Sequence, residues 1–298
     1  MGLKLEGVMT ELPLPFREDL SVDYSSFSRM IDSQAEAGIT GIYLHGVGCE
    51  TVFLSFEEEV EVVRQGVRAA DGRMTVIANI LSAGQAQACE RARAYTAAGA
   101  DMLSISQPLF YQFTEEALLR YFSAVIESTD LLIMIYNMPS AGYTLSPGVI
   151  GTLSQRYDRV VAYKDSTQNV IHLQEVAARA GKPGFAILAG SDATIYSTLC
   201  TGGAGVISML SMLFPRQVIQ LVDTYRQGDL AGALAQQQFL LEVRGALKAA
   251  PLIAGYKTAS KLLGLYDCDA VRPPLANTGA AEADALKNRL LALGLLGT

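Results

Sequence analysis

Lys164 closes the run Arg159-Val160-Val161-Ala162-Tyr163-Lys164. An ammonium that continues an apolar run is costly to desolvate, so its placement there calls for a reason. The chain has seven lysines, and the others fall on surface or helical positions. In a dry pocket the pKa of such a lysine falls from about 10.4, leaving a neutral amine able to attack a ketone and form an imine. The same position also suits a lysine that emerges at a rim or pairs with Asp165. Tyr136 ends Leu131-Leu132-Ile133-Met134-Ile135-Tyr136, just before Asn137-Met138-Pro139. A phenol there can shuttle a proton at an imine carbon, and it suits equally an aromatic plug whose hydroxyl meets backbone. The third feature is the segment Gly46-Val47-Gly48-Cys49-Glu50. Its glycines let backbone N–H groups approach an anion such as a carboxylate, and a tight turn with an incidental glycine pair fits as well.

Histidine chemistry has little to work with, since the chain holds only His45 and His172. His45, Cys49 and Glu50 cluster as conceivable metal ligands, but His172 lies early in a later helical pattern and no second spaced pair completes a set. No metal is expected. Cys49 as nucleophile lacks any histidine partner beyond His45.

The elements that must position these groups alternate along the chain. Strand patterns fall at Gly41–Leu44, Met74–Ala78, Met102–Ile105, Leu131–Tyr136, Val160–Tyr163, Phe185–Leu188 and Gly205–Ser208, with a weaker one near Gly7–Thr10. Several are apolar throughout, as parallel strands covered on both faces should be. Helical patterns lie between them. Ser55-Phe56-Glu57-Glu58 is a capping box, with Val60, Val63 and Val67 expected on the buried face. Thr114 opens a helix with Leu118, Phe122 and Val125 inward, and Ser146-Pro147 reads as N-cap and first helical residue. Gly38, Gly72, Gly99 and Gly181 stand where helices should stop. Eight strands with helices between them predict an α/β fold, a closed (β/α)₈ TIM barrel, whose active site lies at the C-terminal ends of the strands. Beyond residue 208 the pattern is wholly helical, over Gln217–Arg226, Ala231–Ala250, Ala254–Leu263 and Ala281–Leu293. The expected organisation is a catalytic barrel at 1–228 with a C-terminal helical appendage at 229–298.

Composition narrows the function classes. Thirty acidic against 23 basic side chains give a net charge of −7 and no basic footprint for nucleic acid. No apolar run approaches the roughly 18 residues of a membrane span, and no secretory signal is visible at the start. Cys49, Cys89, Cys200 and Cys268 are scattered without a CxxC pair, which predicts reduced thiols and a cytoplasmic location.

These motifs, in this order, resemble the dihydrodipicolinate synthase / N-acetylneuraminate lyase family of Schiff-base, pyruvate-type aldolases. Gly46–Glu50 is similar to the family's G-[ST]-T-G-E loop, and Gly99-Ala100-Asp101 with Pro108-Leu109-Phe110-Tyr111 to its G-A-D and P-x-Y segments. Tyr136–Pro139 matches Y-N-x-P, and Ala162-Tyr163-Lys164-Asp165-Ser166 resembles the Schiff-base G-x-K-[DE]-[ST] motif. Gly190-Ser191-Asp192 resembles G-x-D, Gly202–Ser208 the eighth strand, and Arg272-Pro273-Pro274-Leu275 the terminal R-P-P-L.

The resemblance implies Lys164 as imine former and Tyr136 as proton carrier. It also implies a 2-oxo acid carboxylate on the amides of Gly46, Val47 and Gly48, with Ser166, Gly190, Asp192, Ile207 and Ser208 around the rest of the substrate. It implies no cofactor beyond the covalent imine, and a homotetramer built as a dimer of dimers with Phe110 and Tyr111 near the tight interface. The departures carry information too. Val47 and Gly48 stand where the family has two hydroxyls, Phe110 where the synthases have a tyrosine, and Ser140-Ala141-Gly142 where they place an arginine. Ala193 follows Asp192, where the lyases have an acidic residue. Losing buried polar partners costs on the order of 1–3 kcal/mol each. The expectation is therefore a lyase, aldolase or dehydratase, for another 2-oxo acid rather than a true dihydrodipicolinate synthase. Val47, Met138 and Phe110 suggest a less polar pocket. The rivals are a degenerate paralogue that binds a 2-oxo acid without turnover, and a metal-dependent aldolase.

Overall fold

A computed structural model describes residues 5–297; residues 1–4 and 298, the outer ends of the two expected units, lie outside it. Eight strands form one closed barrel in sequential order: β1 (Gly7–Glu11), β2 (Gly41–Leu44), β3 (Thr75–Ile80), β4 (Met102–Ser106), β5 (Leu132–Asn137), β6 (Val160–Asp165), β7 (Ala186–Ala189) and β8 (Gly205–Ser208). Every neighbouring pair is parallel, and β8 returns to β1 through Gly7↔Gly205 and Thr10↔Ser208. The fold is the (β/α)₈ TIM barrel.

The helices are α1 (Tyr24–Glu36), α2 (Phe56–Ala70), α3 (Gln85–Ala97), α4 (Glu115–Glu127), α5 (Pro147–Arg156), α6 (Val170–Ala180), α7 (Ile195–Cys200) and α8 (Pro215–Arg226), followed by α9 (Leu230–Leu247), α10 (Leu252–Leu262) and α11 (Ala280–Ala292). Ser55 and Glu58 make the reciprocal capping box of α2, and Ser146 accepts from the Val149 N–H ahead of Pro147 in α5. The buried stripe of α4 includes Leu118, Phe122 and Val125. In α2 the inward face differs from expectation. It is Glu59, Val62, Val63, Gly66 and Ala70, with Val60 and Val67 only half-buried. The helix is turned by Glu59, whose buried carboxylate takes a fork from Arg91 (2.7 and 2.8 Å) and the Tyr95 hydroxyl (2.5 Å), both on α3.

Alternation along the strands separates two cores. Met9, Tyr43, Ile77, Met102, Met134, Ala162, Leu188 and Ile207 point into the barrel and fill it. The outward residues pack under the helices in a second, larger cluster, which Leu240 and Val243 of α9, Tyr256 of α10 and Leu286 and Leu290 of α11 also join. Among the described residues no helix is long and apolar enough to cross a membrane.

Candidate active site

The loops beyond the C-terminal strand ends enclose a cavity of about 530 Å³. Parallel pairing sets Lys164 of β6 directly against Tyr136 of β5, so both side chains emerge on the inner face at the same height. Lys164 is completely buried. Its Nζ lies 4.2 Å from the centre of the Tyr136 ring and 3.8 Å from that of Tyr43, faces that attract a cation. It neither emerges at a rim nor pairs with Asp165. That carboxylate instead accepts the Thr167 N–H at 2.8 Å and the Tyr163 hydroxyl at 3.3 Å, which fixes the turn after β6.

The partner of Lys164 is Glu11, 2.9 Å from Nζ to Oε2. Glu11 is the last residue of β1, two beyond the inward-pointing Met9, and its other oxygen accepts the Gly48 N–H at 2.9 Å. A Cβ on Gly46 would overlap the Glu11 carboxyl group. The Gly48 N–H is therefore taken by a carboxylate of the chain itself, and Gly46 makes room for it. Burial pulls the Lys164 pKa down. The Glu11 carboxylate, with Tyr136, outweighs it, so the pKa stands above its ordinary value and Lys164 rests as an ammonium. This reverses the fall expected from burial alone. Ending the first strand at Thr10 hides Glu11; the signal that finds it is the one that marks Lys164, a charged residue closing an apolar strand.

Burial also raises the Tyr136 phenol, against the opposing pull of Lys164, which keeps it protonated and ready to donate. Ser166 Oγ lies 3.4 Å from the Tyr136 hydroxyl and 3.0 Å from the Gly190 carbonyl. Asn137 holds the turn after β5 by exchanging bonds with Leu145, 3.0 and 3.2 Å, while Gln107 accepts the Met138 N–H at 3.0 Å and donates to its carbonyl at 3.0 Å.

Of the expected substrate contacts, Val47, Ser166, Gly190, Asp192 and Ile207 line the cavity, together with Tyr136. Gly48 lies behind it, against Glu11 and Met209. Ser208 is buried, its hydroxyl donating to Asp192 and accepting the Ser211 N–H. Asp192 is pushed towards its neutral form by burial, a tendency that Ser208 and Arg244 oppose. Gly46 and Phe110 border a neighbouring apolar recess instead, and Phe110 and Tyr111 are 80% and 67% exposed. Val47 and Met138 line the cavity beside charged groups. Arg244 of α9, 3.7 Å from Asp192, and Lys248 just past the end of that helix line its wall.

The cluster of His45, Cys49 and Glu50 disperses. His45 Nε2 meets the Glu59 carbonyl at 2.9 Å, the Cys49 thiol donates to the Leu12 carbonyl at 2.9 Å, and Glu50 pairs with Lys257 and accepts the Arg272 N–H at 2.7 Å. Burial raises the Cys49 thiol to about 12 and lowers the His45 imidazole to about 4. Among the described residues no group of three or more His, Cys, Asp or Glu is placed to hold a metal.

Comparison with known proteins agrees with this geometry. The sequence profile of the dihydrodipicolinate synthetase family matches residues 4–293. The chain is 33% identical over 292 residues to the 4-hydroxy-tetrahydrodipicolinate synthase of Gluconacetobacter diazotrophicus, covering 98% of both chains. It is 34% identical over 281 residues to that of Sorangium cellulosum, covering 94% of this chain and 93% of the other. Among solved structures, the prophage protein YagE of E. coli K12, a dihydrodipicolinic acid synthase family member in complex with pyruvate, superposes with a TM-score of 0.93 at 28% identity, covering 97% of this chain and 99% of that one. Dihydrodipicolinate synthase from Aquifex aeolicus gives 0.92 at 28%, with 97% and 98% covered. With the family profile matching nearly its full length and a relative 33% identical over 98% of both chains, the chain belongs to the dihydrodipicolinate synthetase family.

Proposed function

We propose that this chain is a Schiff-base-forming lyase, an aldolase or dehydratase, acting on a 2-oxo acid such as pyruvate or a 2-keto-3-deoxy sugar acid. The observation that carries the reading is the wholly buried Lys164, level with the Tyr136 phenol beside a 530 Å³ cavity at the catalytic end of the barrel. Lys164 attacks the 2-keto carbon, and Tyr136 carries a proton between substrate oxygen, nitrogen and carbon. The protonated imine then draws electrons from the adjoining bond, which lowers the barrier to C–C or C–O cleavage. The imine is itself the electron sink, so the chemistry calls for no metal or organic cofactor. A relative of this family solved with pyruvate supports the substrate class.

The reaction we assign is not dihydrodipicolinate synthesis. Val47 and Gly48 offer no hydroxyl relay, Ser140–Gly142 no arginine, and the cationic groups of this cavity are Arg244 on α9 and Lys248 just past its end. We assign residues 1–228 to the catalytic barrel and 229–298 to the helical region that supplies this wall. The protein is placed in the cytoplasm, its four cysteines unpaired, as a homotetramer whose tight interface takes up Phe110 and Tyr111. Reduction with borohydride in the presence of pyruvate, followed by peptide mass mapping, should find the adduct on Lys164. No adduct with any 2-oxo acid would sink the reading, and an adduct that forms without product release over hours would favour a binding paralogue.

A further inference from the structure

We infer that Glu11 is a catalytic residue, the acid–base group that takes the proton from Lys164 and returns it to the departing substrate oxygen. The inference rests on the imine chemistry proposed above and adds a residue that the sequence motifs leave out.

Three observations lead to it. Lys164 has no exposed surface, and among the described residues the one carboxylate bonded to its Nζ is that of Glu11, at 2.9 Å. Glu11 lines the cavity in which Lys164 itself has no exposed surface, so it borders both the amine and the space for the carbonyl. Its carboxylate is held in place: Oε1 takes the Gly48 N–H at 2.9 Å, and the bare Cα of Gly46 leaves room for it. An ammonium has no lone pair, so an amine that rests as an ion pair must pass on a proton before it can attack. Lys164 has no exposed surface of its own, and Val47 and Gly48 carry no hydroxyl to relay its proton outward, so the bonded carboxylate is the nearest outlet.

The step balances on the groups present. The Lys164 ammonium gives one proton to Glu11, and the freed lone pair forms the N–C bond while the carbonyl π electrons move to oxygen. Tyr136 takes a second proton from nitrogen as its own phenolic proton passes to that oxygen, giving a neutral carbinolamine. Glu11 then protonates the hydroxyl, the C–O bond breaks, water leaves, and the nitrogen lone pair closes the C=N bond. The products are the protonated imine, one water and a Glu11 carboxylate restored to its starting state. A neutral Glu11 during the middle of the sequence also relieves the like-charge contact that an ionised Glu11 would make with the carboxylate of a 2-oxo acid.

The test measures imine formation apart from later chemistry, as the exchange of carbonyl ¹⁸O of pyruvate into water by the full chain, beside borohydride trapping. Glu11→Gln keeps an oxygen for the Gly48 N–H and removes the titratable group. It should slow exchange by roughly 100-fold or more, while the Lys164 adduct still accumulates on long incubation. Glu11→Asp should recover part of the rate, and formate added to Glu11→Ala should recover part of it by occupying the vacated space. Thermal unfolding identifies any variant that has not folded, and formate rescue then carries the decision on the one that has. Exchange by Glu11→Gln at the wild-type rate overturns the proposal. Faster exchange overturns it as well, because that result makes Glu11 a plug on the carboxylate position rather than a proton carrier. Failure of the wild-type protein to form any adduct is a different result, and it removes the imine reading itself.

Discussion

At the scale of single residues, the proposed chemistry hangs on two side chains at one height on neighbouring strands. Lys164→Ala should abolish the borohydride adduct outright, and Tyr136→Phe should form it but lower turnover by roughly 100-fold or more, because the ring stays and only the proton carrier goes. Equal turnover by Tyr136→Phe and wild type in a product assay would assign Tyr136 to packing. Lys164 was readable from sequence because a desolvated ammonium on an apolar strand is expensive and therefore conspicuous. Glu11 gives the same signal in Gly7-Val8-Met9-Thr10-Glu11, and it escapes only when the strand is ended one residue early. Arg244 and Lys248 leave no comparable trace. A charged residue on a helix is ordinary, and only the packing of α9 over the barrel mouth makes these two part of the cavity wall.

At the scale of elements, strands were the most legible feature: β2 and β8 coincide with their sequence patterns, and the others shift by one or two residues. Which face of α2 turns inward was not legible, because hydropathy counts Glu59 as a surface residue while Arg91 and Tyr95 make it an interior one. The loop after β2 shows the same limit. Glu50 closes that loop in a left-handed backbone conformation (φ 54°) and is tied to Lys257 of α10, both side chains without exposed surface. Arg272 of the C-terminal segment adds its N–H to Glu50 and a salt bridge to Glu58 of α2. The Arg-Pro-Pro-Leu segment thus holds the loop after β2 from behind. Lys257→Met leaves a buried carboxylate without its counter-ion and should cost on the order of 3–5 kcal/mol in urea unfolding. Lys261→Met, which breaks the exposed pair with Asp269 one turn on, should cost about 0–1 kcal/mol. A double variant Glu50→Gln, Lys257→Met that recovers most of the first loss identifies the unpaired charge as its cause; equal losses in the single and double variants would instead point to packing around Phe16, over which the Lys257 ammonium lies at 3.9 Å.

At the scale of the whole molecule, two features reach beyond the site. Phe110 presents an aromatic ring to solvent from a backbone at φ 83°, a strained conformation for a bulky residue, with Tyr111 edge-on at 4.9 Å. If the proposed tight interface covers this pair, Phe110→Glu should shift the sedimentation of the protein towards smaller species, and an unchanged profile would place the interface elsewhere. The second feature is the response to acid. His45 is fully buried, stacked on Tyr95 with ring centres 5.0 Å apart, and burial, with Arg91 nearby, lowers its pKa from 6.5 to about 4. Above pH 6.5 the imidazole is neutral in folded and unfolded chains alike, and it gives no pH dependence. As the pH falls from 6.5 to 4 the unfolded chain takes up a proton that the folded chain refuses, so stability is lost across that window. The fall from 6.5 to about 4 corresponds to a loss of about 3 kcal/mol. His172, also lowered by burial, contributes in the same direction, so the cleanest measurement is a difference. His45→Asn suits the left-handed backbone at φ 60° and removes the titrating ring. Thermal unfolding of wild type should fall more steeply than that of His45→Asn between pH 7 and pH 4.5. Parallel profiles would mean that the acid sensitivity of this barrel arises from its buried carboxylate pairs, with the imidazole beside the loop after β2 taking no part in it.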